Sequence, residues 1–202
     1  MDLLHTNGII THAIAFKEYD RIISLFTPNN GLIKVVVKGA FREKHSQGAT
    51  TQPLGFIEAE CVRRGGELYS CSNLEMIDSH TALRNDIKTL QAACEMLQII
   101  NATQLAEKNA PKLYQLLRIY LKQLPLAENA QAVALSFKLK TLRHEGLFHP
   151  HMEQPHGICK DDHDQVLVLT YSLDFPLIAS LPLSGSLTQY VDSLFSNNFI
   201  RA

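Results

Sequence analysis

The stretch TPNNGLIKVVVKGAFREK, residues 27–44, follows a run of β-branched residues with Lys38, Phe41, Arg42 and Lys44 in close succession. On a strand, Lys34, Val36 and Lys38 share one face while Ile33, Val35 and Val37 share the other, so the apolar face turns inward and the lysines turn out. Arg42 and Lys44 carry that cationic face into the following loop. Cationic side chains neutralise phosphates, and an exposed ring such as Phe41 stacks on an unpaired base, an interaction typically worth ~1–3 kcal/mol per base. Two readings stand side by side. The lysines contact phosphate and Phe41 stacks, or the lysines solubilise a barrel edge and Phe41 plugs the barrel's open end.

A second cationic set, Lys112, Arg118 and Lys122, lies with Gln115 opposite a leucine stripe. It suits an acidic partner or is the solvated side of an amphipathic helix. Lys138, Lys140 and Arg143 admit the same two readings. The segment HEGLFHPHMEQPHGICKDDHD, 144–164, gathers histidines, acids and Cys159. Transition metals use such ligands, but the spacing is irregular and proline-crowded, with His156, Cys159 and His163 as the only candidates at workable separations. A surface loop without zinc or other metal is the expectation, and a metallohydrolase built on this loop is the alternative that metal analysis would test. For catalysis the chain has no GxSxG, Walker loop, GxGxxG or HExxH, so no catalytic residue is assigned and a non-enzymatic role is expected.

These residues sit on two kinds of element. Strands are expected over 8–16, 21–27, 32–40, 56–63 and 67–77, with turns at Pro28–Gly31 and Gly65–Gly66. Five short strands suit a small closed barrel, which leaves few edges. From Thr81 the period changes to that of helices, with one stripe at Leu83, Ile87, Leu90, Cys94 and Leu97 and another at Leu113, Leu116, Leu117, Tyr120, Leu121 and Leu124. A third helix runs from Asn129 to about Glu145 and is capped by Gly146. Residues 147–183 read as an irregular His/Pro-rich insertion with one strand over 165–171, and 186–195 as a terminal helix. The domains are therefore 1–78, a strand domain, and 79–202, a helical one.

The 202 residues are 46% apolar and 19% charged, which suits a core-forming globular chain. The net charge of −1 hides a segregation: residues 1–78 carry 8 basic and 9 acidic groups, 79–148 carry 9 and 5, and 149–202 carry 2 and 6. The basic middle third points to an anionic partner. No stretch is long and apolar enough for a membrane span, and the opening MDLLHTNGII lacks the features of a secretory signal, so a cytoplasmic location is expected. The four cysteines form no CxxC pair. With Gly65–Gly66 as a two-residue hairpin turn, Cys61 opposes Ser70 and not Cys71, which sends the two thiols to opposite faces and leaves them reduced.

The order EYDRIISLFTPNNGLIKVVVKGAFREK (18–44), QPLGFIEAE (52–60) and GELYSCSNLEMID (66–78) resembles the bacterial recombination mediator RecO family, whose N-terminal region reads as an acidic residue, D-R-I, L-F-T, a turn ending in Gly, and K-G-A-x-R. KLYQLLRIYLKQL (112–124) and FKLKTLRHEGLFHP (137–150) are similar to the family's helical region. The resemblance implies an α+β chain: an N-terminal OB-fold barrel, then an α-helical domain. It further implies a DNA repair and homologous recombination mediator of the RecF pathway. Such a protein binds single- and double-stranded DNA, anneals complementary strands, contacts the C-terminal tail of the single-strand-binding protein SSB as well as RecR, and helps load RecA, at the nucleoid. It carries Arg21, Lys38 and Arg42 onto the DNA surface, Arg21 being alternatively paired with Asp20 or Glu18; Lys34, Phe41 and Lys44 are added from strand geometry. One departure is plain: many family members hold zinc with two cysteine pairs, which the lone Cys159 rules out here. An OB-fold RNA-binding module with no role in recombination is the alternative, since the same barrel and charges serve RNA.

Overall fold

The computed structural model describes residues 2–41, 48–63, 66–149 and 158–199. Five strands come first: β1 (Asp2–Phe16), β2 (Asp20–Thr27), β3 (Gly31–Val37), β4 (Phe56–Arg63) and β5 (Leu68–Asp78). They close into a barrel in the order β1-β2-β3-β5-β4. Neighbours are antiparallel except β3 and β5, which pair in parallel through Lys34–Leu68, Val35–Tyr69 and Val36–Ser70. Alternation fixes the inner face, and Ile23, Leu25, Ile33, Val35, Ile57, Ala59 and Cys61 are buried in one core. Each aliphatic side chain so buried contributes about 1.5–3 kcal/mol relative to exposure.

β1 begins at Asp2, earlier than the expected start at Gly8. Its first half pairs with β4, Asp2 opposite Arg63 through Ile9 opposite Phe56, and its second half with β2, Ile9 opposite Phe26 through Phe16 opposite Asp20. One strand serving two neighbours is what closes the ring. Its leading residues are only partly buried, so they carry no clear alternation in the sequence. β3, in turn, ends at Val37, which leaves Lys38 in the turn that follows rather than on the strand.

After a 3-10 turn at Thr81–Arg84 come α1 (Ile87–Thr103), α2 (Pro111–Gln123), α3 (Ala130–His144), α4 (Lys160–Tyr171), α5 (Phe175–Ala179) and α6 (Gly185–Phe199). The chain forms two compact units: Met1–Thr81 with Gln104–Arg118, and Ala82–Thr103 with Ile119–Ala202. The sequence division at 78/79 follows the change from strands to helices, whereas by packing the stretch 104–118 goes with the barrel. Glu107 N donates to Leu32 O at 3.2 Å, and Tyr114 Oη donates to Asn7 Oδ1 at 2.8 Å. Tyr114 also meets Phe26 edge-on, its ring centroid 5.8 Å away, and burial pushes its phenol up to about 12. Gly31, at φ +60°, is required here twice over: a Cβ would lie 2.1 Å from Lys108 O.

In the helical unit α3 is central and packs against α1, α4, α5 and α6. It is buried nearly all round, and Ser136 satisfies its hydroxyl by donating to Leu169 O at 2.6 Å. Its cationic residues are internal ties. Lys138, in the α3 interior, meets Glu95 of α1 at 2.5 Å and Asp192 of α6 at 2.6 Å, Lys140 donates to Ser172 O just past α4, and Arg143 lies 4.4 Å from the Tyr171 ring centroid. α3 ends in a Schellman motif, with Leu147 N donating to Leu142 O and Gly146 N to Arg143 O, Gly146 being at φ +74°.

Two expectations fail in this unit. Residues 165–171 are not a strand but the body of α4, and α5 also lies inside the span 147–183 read as irregular. The buried residues of α4, Asp162, Val166, Leu169 and Thr170, recur at helical spacing, so packing against α3 overrides the β-propensity of Val-Leu-Val-Leu-Thr-Tyr. The apolar side of α1 is also not the leucine stripe. Ile87 and Cys94 are exposed, and the buried face comprises Thr89, Ala92, Ala93, Met96, Leu97, Ile99, Ile100 and Thr103. No helix among the described residues is long and apolar enough to cross a membrane.

Candidate nucleic-acid interface

Of the expected cationic edge, Arg21 and Lys38 come with Phe41 to one end of the barrel, where the β1–β2 turn, the residues after β3 and the loop leading to β4 meet. Asp20, the first residue of β2, accepts a hydrogen bond from Gly39 N at 2.9 Å, and Tyr19 O accepts from Phe41 N at 3.1 Å. These two bonds fix the turn that carries Lys38 and Phe41. Lys38 is exposed, and the Phe41 ring keeps 42% of its surface open to solvent, so it is not a buried plug of the barrel.

Arg21 follows the inward alternation of Ile23 and Leu25 and reaches the barrel end from within. Its Nη1 donates to Gly48 O at 3.3 Å, Thr51 O at 3.2 Å and Thr51 Oγ1 at 3.1 Å. The guanidinium then lies 4.7 Å from the Phe41 ring centroid, a cation–π contact. Its expected alternative, a pairing with Asp20, is displaced by Asp20's bond to Gly39. Arg21 and Phe41 are therefore brought together, with Lys38 on the same turn. Lys34 lies four residues back on β3, exposed and opposite Ser24, about 13 Å along the strand at ~3.3 Å per residue. Arg42 and Lys44 lie outside the described residues.

Sequence reasoning did not find Tyr19, Asp20, Gly48 or Thr51 as parts of this arrangement. Asp20 was visible in the D-R-I motif as an acid but not as a turn anchor. Thr51, fully buried, carries no sequence signal, because its place depends on a long loop returning to the barrel end.

Lys112, Arg118 and Lys122 are all exposed on α2, opposite buried Leu113, Leu117, Tyr120 and Leu121. Arg118 is partly committed, its guanidinium lying 4.4 Å from the Phe56 ring centroid. Of the metal candidates, His156 lies outside the described residues. Cys159 caps α4, its sulfur accepting from Asp162 N, and His163 is one turn into that helix with a buried Nδ1 that has no hydrogen-bond partner among the described residues. Among the described residues no three His, Cys, Asp or Glu side chains gather in a way that would hold a metal.

A five-stranded closed barrel with a cationic, aromatic-bearing end, followed by helices, belongs to the OB-fold class of binding proteins. Residues 1–80 match the family model described as Recombination protein O N terminal. Similar proteins include the DNA repair protein RecO of Acetivibrio thermocellus, 35% identical over 116 residues, covering 57% of this chain and 46% of that protein. That of Geobacter metallireducens is 29% identical over 128 residues, 63% of this chain and 52% of the relative. That of Anaeromyxobacter dehalogenans is 27% identical over 150 residues, 73% and 58% respectively. The chain's first 80 residues match the N-terminal model of the RecO family, and the chain is similar to these RecO proteins. It spans about half the length of the curated relatives it matches.

Proposed function

We propose that this chain is a non-enzymatic DNA repair and recombination mediator that holds single-stranded DNA at the barrel end bearing Lys38 and Phe41, with Lys34 along β3 and, next in the sequence, Arg42 and Lys44 as further contacts. The observation that carries the reading is the pairing of a half-exposed Phe41 ring with exposed Lys38 on one anchored turn, in a domain that matches the N-terminal model of the RecO family. Lysines screen phosphate while the ring offers a sequence-tolerant stacking platform. Annealing of complementary strands needs no covalent chemistry: cationic surface reduces the repulsion between two backbones, and weak contacts leave base edges free to pair. Double-stranded DNA is bound through phosphate alone. The exposed Lys112, Arg118 and Lys122 face is the proposed seat for the acidic, aromatic-tipped tail of SSB. The groove between α1, α3 and α6, about 580 Å³, suits that tail less well, because Glu95 and Asp192 outnumber Lys138 there. RecR is a further proposed partner, RecA is loaded indirectly onto SSB-coated DNA, and the setting is the nucleoid of the cytoplasm.

The test is binding of a single-stranded oligonucleotide across a salt series with wild type, Lys34→Ala, Lys38→Ala and Arg42→Ala. Each phosphate contact removed should weaken binding and make the plot of log affinity against log salt shallower by roughly 0.7. Unchanged affinity and slope in all three variants would return these residues to a solubilising role. Competition between matched DNA and RNA strands separates the RNA-binding alternative, which a clear RNA preference would favour.

A further inference from the structure

Cys61 and Cys71 stand directly opposite one another across β4 and β5. The register expected from a two-residue Gly65–Gly66 turn placed Ser70 there. The observed pairing of Arg63 with Tyr69 and Val62 with Ser70 shows a longer connection, which moves the ladder by one residue and turns both sulfurs to the same face. The irregularity between Glu60 and Cys61 then moves the ladder by one further residue, so that Glu60 stands opposite Asn73. Cys61 is wholly buried in the barrel core and Cys71 is half-buried against the same cluster. Directly opposed residues of an antiparallel pair have Cα atoms about 4.5 or 5.5 Å apart, and both values fall inside the ~4.4–6.8 Å that a disulfide spans.

The two thiols are also unequal. The apposition of the two sulfurs lowers the Cys71 thiol from its ordinary value and, together with burial, raises that of Cys61, and Cys71 Sγ donates to Asn73 O at 3.1 Å. Cys71, half-buried, is the one of the two that solvent can reach. Cys94 and Cys159 are exposed and have no such neighbour among the described residues.

We propose that Cys61 and Cys71 are a reversible dithiol that small-molecule disulfides oxidise to a cross-strand bond between β4 and β5. The Cys71 thiolate attacks one sulfur of a glutathione-type disulfide, whose S–S bond breaks to release one small thiolate and leave a mixed disulfide on Cys71. Cys61 Sγ then attacks Cys71 Sγ, and the second small thiolate departs, taking the Cys61 proton. Two protein thiols are oxidised to one disulfide while the small disulfide is reduced to two thiols.

The experiment treats the full chain with oxidised glutathione, blocks remaining thiols with an alkylating reagent under denaturing conditions and maps tryptic peptides by mass. Arg63 and Arg64 lie between the two cysteines, so trypsin separates them and a link joins two peptides. The expected result is loss of two of the four thiols, a Cys61–Cys71 linked peptide pair, and recovery of both thiols with dithiothreitol. Cys61→Ala should trap glutathione on Cys71, since the resolving thiol is gone, and Cys71→Ser should leave Cys61 fully alkylatable. The link in the wild-type chain is decisive even where a variant fails to fold. Mixed disulfides confined to Cys94 and Cys159, or a link only between chains, would overturn the proposal.

Discussion

Phe41 and Arg21 pack as a unit, which sharpens what each would do in the proposed DNA site. The guanidinium has three acceptors in Gly48 and Thr51 and spends its remaining face on the ring, so its charge is committed inside the molecule. Phe41→Ala should weaken single-strand binding by about 1–3 kcal/mol, roughly 5- to 150-fold, with the salt slope unchanged, since a ring neutralises no phosphate. Arg21→Ala should reproduce that loss, again without a change of slope, and should add nothing on top of Phe41→Ala. Arg21→Lys should not rescue it, because an ammonium lacks the flat fork that both donates to the loop and lies on the ring. Titration of a labelled oligonucleotide at several salt concentrations decides the matter, with circular dichroism confirming that each variant is folded. A shallower slope for Arg21→Ala would instead make Arg21 a phosphate contact, the role the family resemblance implies.

At the scale of elements, Lys140 ties α3 to the end of α4 at a cost that depends on pH. Burial, with the neighbouring Arg143 charge, pushes its ammonium down to about 8, against the hydrogen bond it donates to Ser172 O. An unfolded lysine titrates near ~10.4, so between about 8 and 10 the unfolded chain holds the proton that the folded chain has released. Stability therefore rises with pH across that window, and below it the cost of burying the charge is full and constant with pH. Urea unfolding from pH 7 to 10 should show a rise in wild type relative to Lys140→Met; parallel curves would mean that Lys140 stays protonated. The same scale shows where sequence reading succeeds. The barrel was legible because period-two alternation in IKVVV and FIEAECVR, with turns between, leaves one inward face to fill. α4 was not, because its β-branched residues speak for a strand until α3 supplies a partner. The buried side of α1 was missed since small and polar residues, Thr89, Ala92, Ala93 and Thr103, let backbones approach without a leucine to announce them. The Cys61–Cys71 register turned on the length of one connection, which composition does not encode. Lys34, Lys38 and Phe41 were readable from strand and turn, whereas the clamp on Phe41 needed a loop from elsewhere.

For the whole molecule the charge segregation acquires a use. Of the cations in the first 78 residues, Arg21 and Lys38 lie at one barrel end, and the basic surplus of residues 79–148 is not all available to a partner, since Lys138, Lys140 and Arg143 are internal ties. What remains outward on α2 is Lys112 and Lys122, with Arg118 shared with Phe56. On the proposed reading, a chain with both a strand-binding end and a seat for an acidic peptide would meet SSB-coated DNA as a two-point target. Each contact then raises the effective concentration of the other, and avidity exceeds either affinity by as much as about 10²–10⁴ where the geometry lets both engage. Lys112→Ala/Lys122→Ala should therefore lower affinity for SSB-coated DNA while leaving binding to bare single strands nearly unchanged, and Lys34→Ala/Lys38→Ala should lower both. Surface-immobilised DNA with and without SSB, measured at one fixed salt concentration, distinguishes the two patterns. Equal losses on bare and coated DNA for the α2 variant would make that face part of the DNA site, and no loss on either would leave it as the solvated side of an amphipathic helix.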